Sequence, residues 1–287
     1  MVNVTFWGVR GSTPCPCEAN KRYGGNTACV SVEAAGQDPI IFDLGTGLRF
    51  FGENLTAPGP FHGLALVTHL HWDHIQGLPF FVPINQPGSR LTVCGRNDEG
   101  SLQEAFEEFM RPPYFPVRPS DLRGEITFRD VESTSFDWGR ANVAVRDVPH
   151  TGATNGYRVE LDGVVIAYVS DHQQPADGGP IAASVLELCE GADLVIHDAQ
   201  YEPHEFAMKS DWGHCTVEFA VQVAAQAGAK RLALFHHDPS HGDETIDRLL
   251  AEARAFAEGT SLVEVMAAAE GTTVSLSPAS APTPVTA

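Results

Sequence analysis

The chain has 287 residues, of which 43% are hydrophobic, and its 37 acidic and 18 basic side chains give a formal net charge of −19. This size and composition predict a globular protein with a substantial core and exclude an intrinsically disordered chain. So negative a surface repels nucleic acid and anionic membranes at long range, although it does not exclude a small anionic substrate held by local positive charge.

The cysteines and the N-terminal segment indicate the cellular compartment. Six cysteines are too few for a disulfide scaffold of this length, so we interpret them as reduced thiols. Cys15 and Cys17 either lie in a turn as free thiols or, with a third ligand, hold a structural zinc. The sequence shows neither a signal peptide nor an apolar run of about 20 residues, the length needed to cross a membrane. We therefore expect a soluble, cytoplasmic protein without a membrane partner.

The first half of the chain is dominated by predicted strands separated by turns. A helix is predicted over 101–110, where Ser101 and Glu104 have the spacing of a capping box. The predicted strands of this half are 2–8, 29–34, 40–45, 63–69 and 91–95.

Helices alternate with strands in the second half of the chain. This order predicts sheets covered by helices on their outer faces, a layered α/β sandwich. Residues 1–276 are predicted to form one domain, and the Pro-, Ala- and Ser-rich segment 277–287 a disordered tail. The predicted strands are 125–130, 143–148, 156–161, 164–169, 193–197, 231–236 and 272–276, and the predicted helices are 181–190, 216–228 and 243–258.

Four metal-ligand side chains lie at and just beyond the end of the predicted strand 63–69, within the stretch "LVTHLHWDH", residues 66–74. His69 and His71 lie two positions apart, so in an extended segment they point to the same side. Asp73 and His74 follow where the chain turns into a short helix, so one turn can supply ligands to two neighbouring metals. Imidazole with carboxylate suits zinc, and also iron or manganese.

Further ligand-type residues follow the ends of other predicted strands. Such positions converge on one edge of a sheet, where loops can build a site on a rigid base. These residues are His150, Asp171, His197, Asp198, His236 and His237.

The sequence resembles the metallo-β-lactamase superfamily, whose signature H-x-H-x-D-H is matched in full by the 66–74 motif. The resemblance extends from "GVRGSTP" through "FDLGTG" to "LFHHDP". It implies an αββα sandwich of two mixed β-sheets flanked by helices, with two divalent metal ions per chain, zinc in preference to manganese or iron. The implied ligands are His69, His71 and His150 on the first metal, Asp73, His74 and His236 on the second, with Asp171 bridging both and His237 the alternative to His236.

The branch of the superfamily is indicated by two further elements. Zinc β-lactamases have a cysteine where this chain has Asp171. The elements "LVIHDAQY" and "GHCT" are similar to the "HEAT" and "GHST" elements of the tRNase Z and PhnP-like phosphodiesterases. That similarity implies that Asp198 and His214 form a carboxylate–histidine pair that protonates the leaving oxygen, with Asp198 one methylene shorter than the glutamate of the family.

The predicted activity is hydrolysis of a small or cyclic phosphodiester by a hydroxide held between the two ions, with Asp73, Asp198 and His214 as catalytic residues. Nucleic acid is not expected as a partner, because the chain is acidic and lacks an evident basic, Gly-rich arm of the kind that tRNase Z uses to grip tRNA. Hydrolysis of a carboxylic ester, thioester or lactone, endonucleolytic processing of tRNA 3′ ends, and a non-catalytic metal-bound sensor are the alternatives. The oligomeric state is left open between a monomer and a homodimer.

Four residues around the motif have two interpretations each. Asp43 either closes a turn or accepts a hydrogen bond from a metal-binding histidine. Trp72 either stacks on a base or covers the site. His197 either orients a ligand or is structural, and His172 lies at the surface or reaches substrate.

Overall fold

The computed structural model describes residues 1–57 and 59–278, and its strands make two seven-stranded sheets. The strands are β1 (Val2–Gly8), β2 (Cys29–Ala34), β3 (Ile40–Phe42), β4 (His62–Leu66), β5 (Arg90–Gly95), β6 (Glu125–Asp130), β7 (Ser135–Trp138), β8 (Ala141–Asp147), β9 (Asn155–Leu161), β10 (Val164–Val169), β11 (Leu194–Asp198), β12 (Arg231–Phe235), β13 (Glu264–Ala267) and β14 (Thr273–Leu276).

Seven α-helices and four short 3₁₀ helices connect these strands within the described residues. The α-helices are α1 (Leu48–Asn54), α2 (Trp72–Ile75), α3 (Leu102–Phe109), α4 (Ala183–Cys189), α5 (Pro203–Met208), α6 (Val217–Gln226) and α7 (Asp243–Ala257). The 3₁₀ helices span Glu18–Asn20, Leu78–Phe80, Val82–Asn85 and Pro119–Asp121. Helix α3 has the predicted capping box, in which Ser101 and Glu104 each accept from the other's backbone N–H. In the described part of the chain, no helix has the length and apolar character needed to cross a bilayer.

Both sheets are mixed, and each has the same plan. The first has the order β14-β1-β2-β3-β4-β5-β6, with β3 to β6 parallel and the other pairs antiparallel. The second has the order β13-β12-β11-β10-β9-β8-β7, with β10 to β13 parallel. The carboxyl ends of each parallel set therefore lie along one edge of its sheet.

Three apolar clusters hold the layers together. The central cluster joins the two sheets face to face, and within it the ring of Phe42 from β3 stacks on Tyr168 from β10 at 4.6 Å between centroids. A second cluster packs α4, α6 and α7 on the outer face of the second sheet. A third packs α1 and α3 with the short helices around Leu78 on the outer face of the first. The predicted αββα sandwich of two mixed sheets is confirmed.

The structure adds elements that the sequence pattern did not reveal. Strands β7 and β13 are short and lie at the edges of the second sheet, and helices α1 and α5 have seven and six residues. Strands β3 and β4 end at Phe42 and Leu66, earlier than predicted, because the chain leaves the first sheet there. The predicted tail lies outside the described residues beyond Pro278, and the domain boundary at 276 stays a prediction.

Candidate metal centre

The loops that follow the strands bring the predicted ligands to one place between the two sheets. His69 follows β4, His150 follows β8, Asp171 follows β10 and His236 follows β12. Strands β10 and β12 belong to one parallel set, and β8 runs in the same direction, so their carboxyl ends meet at one edge. Burial of apolar strands on both faces makes this edge a rigid base for polar loops.

Three histidine nitrogens converge in the first half of the cluster. His69 Nε2 lies 2.8 Å from His71 Nδ1, and His150 Nε2 lies 3.4 Å from the same atom. Ligand nitrogens about 2.0–2.1 Å from one zinc ion are separated from each other by about these distances. His71 is the exposed member of the trio, so the cluster opens to solvent on its side.

A second trio is buried behind the first. Asp73 Oδ2 lies 3.1 Å from His74 Nε2 and 3.1 Å from His236 Nε2. His236 adopts a left-handed backbone conformation with φ of 58° at the end of β12, and its ring is almost fully buried. A non-glycine residue in this conformation costs energy and is found where surrounding contacts fix it, often at functional sites.

Asp171 lies between the two trios and faces both. Its Oδ1 is 3.2 Å from His74 Nε2 and 3.4 Å from His236 Nε2. Its Oδ2 is 3.8 Å from His69 Nε2 and 3.8 Å from His150 Nε2. This is the arrangement expected of a carboxylate shared by two metals.

The donor set fits divalent cations. His74 Nδ1 is bonded to Asp43, while its fully buried Nε2 faces the carboxylates of Asp73 and Asp171 and has no hydrogen-bond partner. Burial lowers the pKa of His74, but the surrounding carboxylates outweigh it and raise that pKa well above its usual value. The carboxylates therefore favour a positive charge at this atom, and either a metal ion or a proton would supply it. Several overlapping groups of three side chains have donor atoms within 4.8 Å of one another.

Each of four histidines is oriented by a hydrogen bond at its other ring nitrogen. His74 Nδ1 lies 2.8 Å from Asp43 Oδ2, which confirms the interpretation of Asp43 as a histidine partner. The remaining contacts are His69 Nδ1 with Thr68 Oγ1 at 3.0 Å, His150 Nδ1 with the Gly213 carbonyl at 2.7 Å, and His236 Nδ1 with Gln200 Oε1 at 2.8 Å. Such partners fix the ring orientation and tautomer of metal-binding histidines. Thr68, Gln200 and Gly213 were not identified from the sequence, because residues of these types carry no ligand signal.

The predicted carboxylate–histidine pair is formed beside the cluster. His214 Nδ1 lies 2.9 Å from Asp198 Oδ2 and 3.7 Å from Asp171 Oδ2, and the His214 ring stacks on His236 at 5.0 Å. Burial lowers the pKa of His214, but the adjacent Asp198 outweighs it, so the pKa is raised above its ordinary value. Asp198 also accepts from the backbone N–H groups of His172 and Gln200.

Three other predicted histidines lie outside the cluster. His237 turns away, with Nε2 3.0 Å from the Ala268 carbonyl. His172 is buried, so the interpretation as a surface residue is wrong, and its Nδ1 lies 3.0 Å from His197 Nε2. The reason is the packing of the loop after Asp171 under Phe219 of α6. Cys15 and Cys17, like the other four cysteines, form no disulfide, and the choice between free thiols and a structural zinc stays open.

Comparison with known proteins gives the family. Residues 40–237 match the family model described as the beta-lactamase superfamily domain. A curated ribonuclease Z from Brevibacillus brevis is 40% identical over 273 residues, which covers 78% of this chain and 84% of that protein. Human tRNase Z, short form, has a TM-score of 0.64 at 23% identity and covers 95% of this chain and 98% of its own. A diphosphatase from the PhnP family has a TM-score of 0.70 at 18% identity, with coverages of 97% and 99%.

The chain belongs to the β-lactamase superfamily and is a metal-dependent hydrolase with the metallo-β-lactamase fold. Within this superfamily it belongs to the branch of tRNase Z and the PhnP-like enzymes, as the sequence predicted.

The expectation that nucleic acid is not a partner is wrong. The chain covers 84% of a relative that is named a ribonuclease, so the net charge of −19 is no ground for excluding RNA. The physical reason is that charges on a distant surface are screened over about 8–10 Å at physiological salt, while contact at a site depends on local groups.

Proposed function

We propose that this chain is a phosphodiesterase that cleaves RNA at the 3′ end of precursor tRNA. The observation that carries the proposal is the 40% identity to a ribonuclease Z over 78% of the chain. The adjacent pair His214 and Asp198 supports it, because a phosphodiester needs a proton donor for its leaving oxygen.

We further propose two zinc ions as the cofactor. The first would be held by His69, His71 and His150, the second by Asp73, His74 and His236, and Asp171 would be shared. Divalent ions at such a site supply an activated water and neutralise negative charge on the phosphoryl group. The nitrogen-rich donor set favours zinc over magnesium or calcium, which prefer oxygen ligands.

The protein side chains have separate roles in the proposed reaction. Asp198 holds His214 through its Nδ1, which leaves Nε2 for the leaving oxygen. Asp43, Gln200 and Gly213 fix the rings that would hold the metals. The centre is open to solvent on the side of His71, and its other ligands are more buried. This burial excludes bulk water and strengthens the electrostatic contacts within the centre.

Cleavage of a precursor tRNA with a 3′ trailer by the zinc-loaded protein tests the proposal. We expect one main cut near the 3′ end of the mature tRNA, lost with a chelator and in Asp73→Ala. Asp137→Asn, at an exposed carboxylate of β7, is the control and should cleave normally. Cleavage at many positions, or none with metal bound, would contradict the proposal.

A small or cyclic phosphodiester is the second candidate substrate. The pair of His214 and Asp198 is compatible with it, because a small phosphodiester also has a leaving oxygen to protonate. Assays of cyclic mononucleotides beside the precursor tRNA distinguish the two candidate substrates. A higher kcat/KM for the cyclic mononucleotide would favour the small phosphodiester.

A further inference from the structure

An aromatic groove lies next to the candidate metal centre. It has a volume of about 650 Å³, and its walls include Trp72, Phe80, Tyr114 and Phe115. Trp72 and Tyr114 are each 75% exposed and Phe80 is 57% exposed. The rings of Phe80 and Phe115 meet edge to face at 5.9 Å between centroids, which keeps this side of the groove in place. Large aromatic side chains are seldom so exposed together without a binding role.

The groove and the exposed side of the metal centre share one stretch of the chain. Trp72 is the neighbour in sequence of both His71 and Asp73, and His71 is the exposed member of the proposed ligand set. A substrate that leaves the centre on its exposed His71 side therefore passes Trp72. This position favours substrate as the occupant of the groove.

The chemistry of the walls fits an uncharged aromatic ligand. Glu108 is the charged residue among the groove's lining residues, and it is already paired with Arg111. Gln76 adds an amide that can bond to the edge of a base. Every nucleobase has a π-face, so aromatic side chains bind single-stranded RNA without regard to sequence.

Such a subsite adds affinity for RNA to whatever the phosphate contacts supply. Stacking does not depend on net charge and tolerates any base. We infer that the groove bounded by Trp72, Phe80, Tyr114 and Phe115 is a base-stacking subsite for the nucleotides next to the scissile phosphate. The inference rests on the proposed function for the identity of the ligand.

Equilibrium binding tests the subsite apart from turnover. The probes are a hexa-adenylate with phosphorothioate linkages, which resist hydrolysis, and a strand of equal length whose sugars carry no base. The zinc-loaded full chain should bind the adenylate about 5- to 150-fold more tightly, the range expected for one stacked base, with quenching of tryptophan fluorescence. Trp72→Ala should abolish most of this difference and Trp72→Phe should retain it. Phe256→Ala, at an exposed aromatic residue of α7 outside the groove, should behave as the wild type.

The outcomes separate this inference from the proposed function. Equal affinity for the two strands, or no effect of Trp72→Ala on affinity and on KM for RNA, would overturn the subsite even if precursor tRNA is cleaved. Base-dependent binding that is lost in Trp72→Ala would support the subsite even if precursor tRNA is not cleaved. A wild-type dimer that becomes monomeric in Tyr114→Ala, with base dependence unchanged, would show that a second copy of the chain covers the groove and would also overturn it.

Discussion

Asp171 turns one carboxylate oxygen towards His74, with Oδ1 3.2 Å from Nε2, and leaves the other facing the opposite half of the cluster. His74 comes from the loop after β4 in the first sheet, and Asp171 from the loop after β10 in the second. The contact therefore joins the two sheets, and the cluster forms only when both sheets are folded and packed against each other.

Substitution of the shared carboxylate tests the two-metal arrangement. Asp171→Asn removes the negative charge and replaces one of the two carboxylate oxygens by an NH₂ group, which cannot bind a metal. We therefore expect the metal content to fall from about two zinc ions per chain to one or fewer. Elemental analysis of protein purified without chelator gives the number. Asp137→Asn should keep both ions, and an unchanged content in Asp171→Asn would contradict a bridging role.

The hydrogen bond from His74 to Asp43 predicts an effect on affinity. Asp43 also accepts from the Thr68 backbone and from the hydroxyl of Tyr168. Asp43→Asn would turn an amide N–H towards one of these donors and release the His74 ring. We expect zinc affinity, measured by competition with a chromogenic chelator, to fall about 10- to 100-fold. If the affinity does not change, Asp43 has no part in holding His74.

Two glycines offer a matched steric test. Gly213 has φ of +95°, and a Cβ there would lie 2.2 Å from His150 Nδ1. Gly152 has φ of +91°, and a Cβ there meets nothing within 4 Å. Both alanine variants carry the same backbone strain, so only Gly213→Ala should displace His150, lower zinc occupancy and reduce kcat. Equal losses in both variants would assign the effect to strain alone.

The contact between His214 and Asp198 predicts a helper rather than a metal ligand. His214→Ala should keep its zinc and lose roughly 10²- to 10⁴-fold in kcat on RNA, the usual size of a general-acid contribution. With bis(p-nitrophenyl) phosphate the loss should be smaller, because p-nitrophenolate leaves without a proton. Loss of zinc from His214→Ala would instead make His214 a ligand.

Much of the fold could be predicted because its signals are local. The all-apolar strand 63–69, the capping box at Ser101 and the 66–74 motif each lie within about ten residues of sequence. Strands β7 and β13 escaped prediction because each has four residues at a sheet edge, too few for a periodic pattern to be distinguished from a loop.

The supporting contacts of the centre could not be predicted, because they depend on tertiary packing. The hydroxyl of Tyr168 reaches Asp43 across 125 positions of sequence, and the Gly213 carbonyl reaches His150 across 63. A tyrosine in a strand or a glycine in a loop indicates nothing of such a contact. The net charge misled the choice of partner because it describes the whole surface and not the groove and the centre.

The most direct test of a water-dependent hydrolase at this centre is cleavage of precursor tRNA by the zinc-loaded protein in water enriched in ¹⁸O. We predict one solvent oxygen in the phosphate of the product and no 2′,3′-cyclic phosphate, because an activated water attacks phosphorus. A 2′,3′-cyclic phosphate without solvent oxygen would show that the neighbouring ribose hydroxyl is the nucleophile, and would contradict the account.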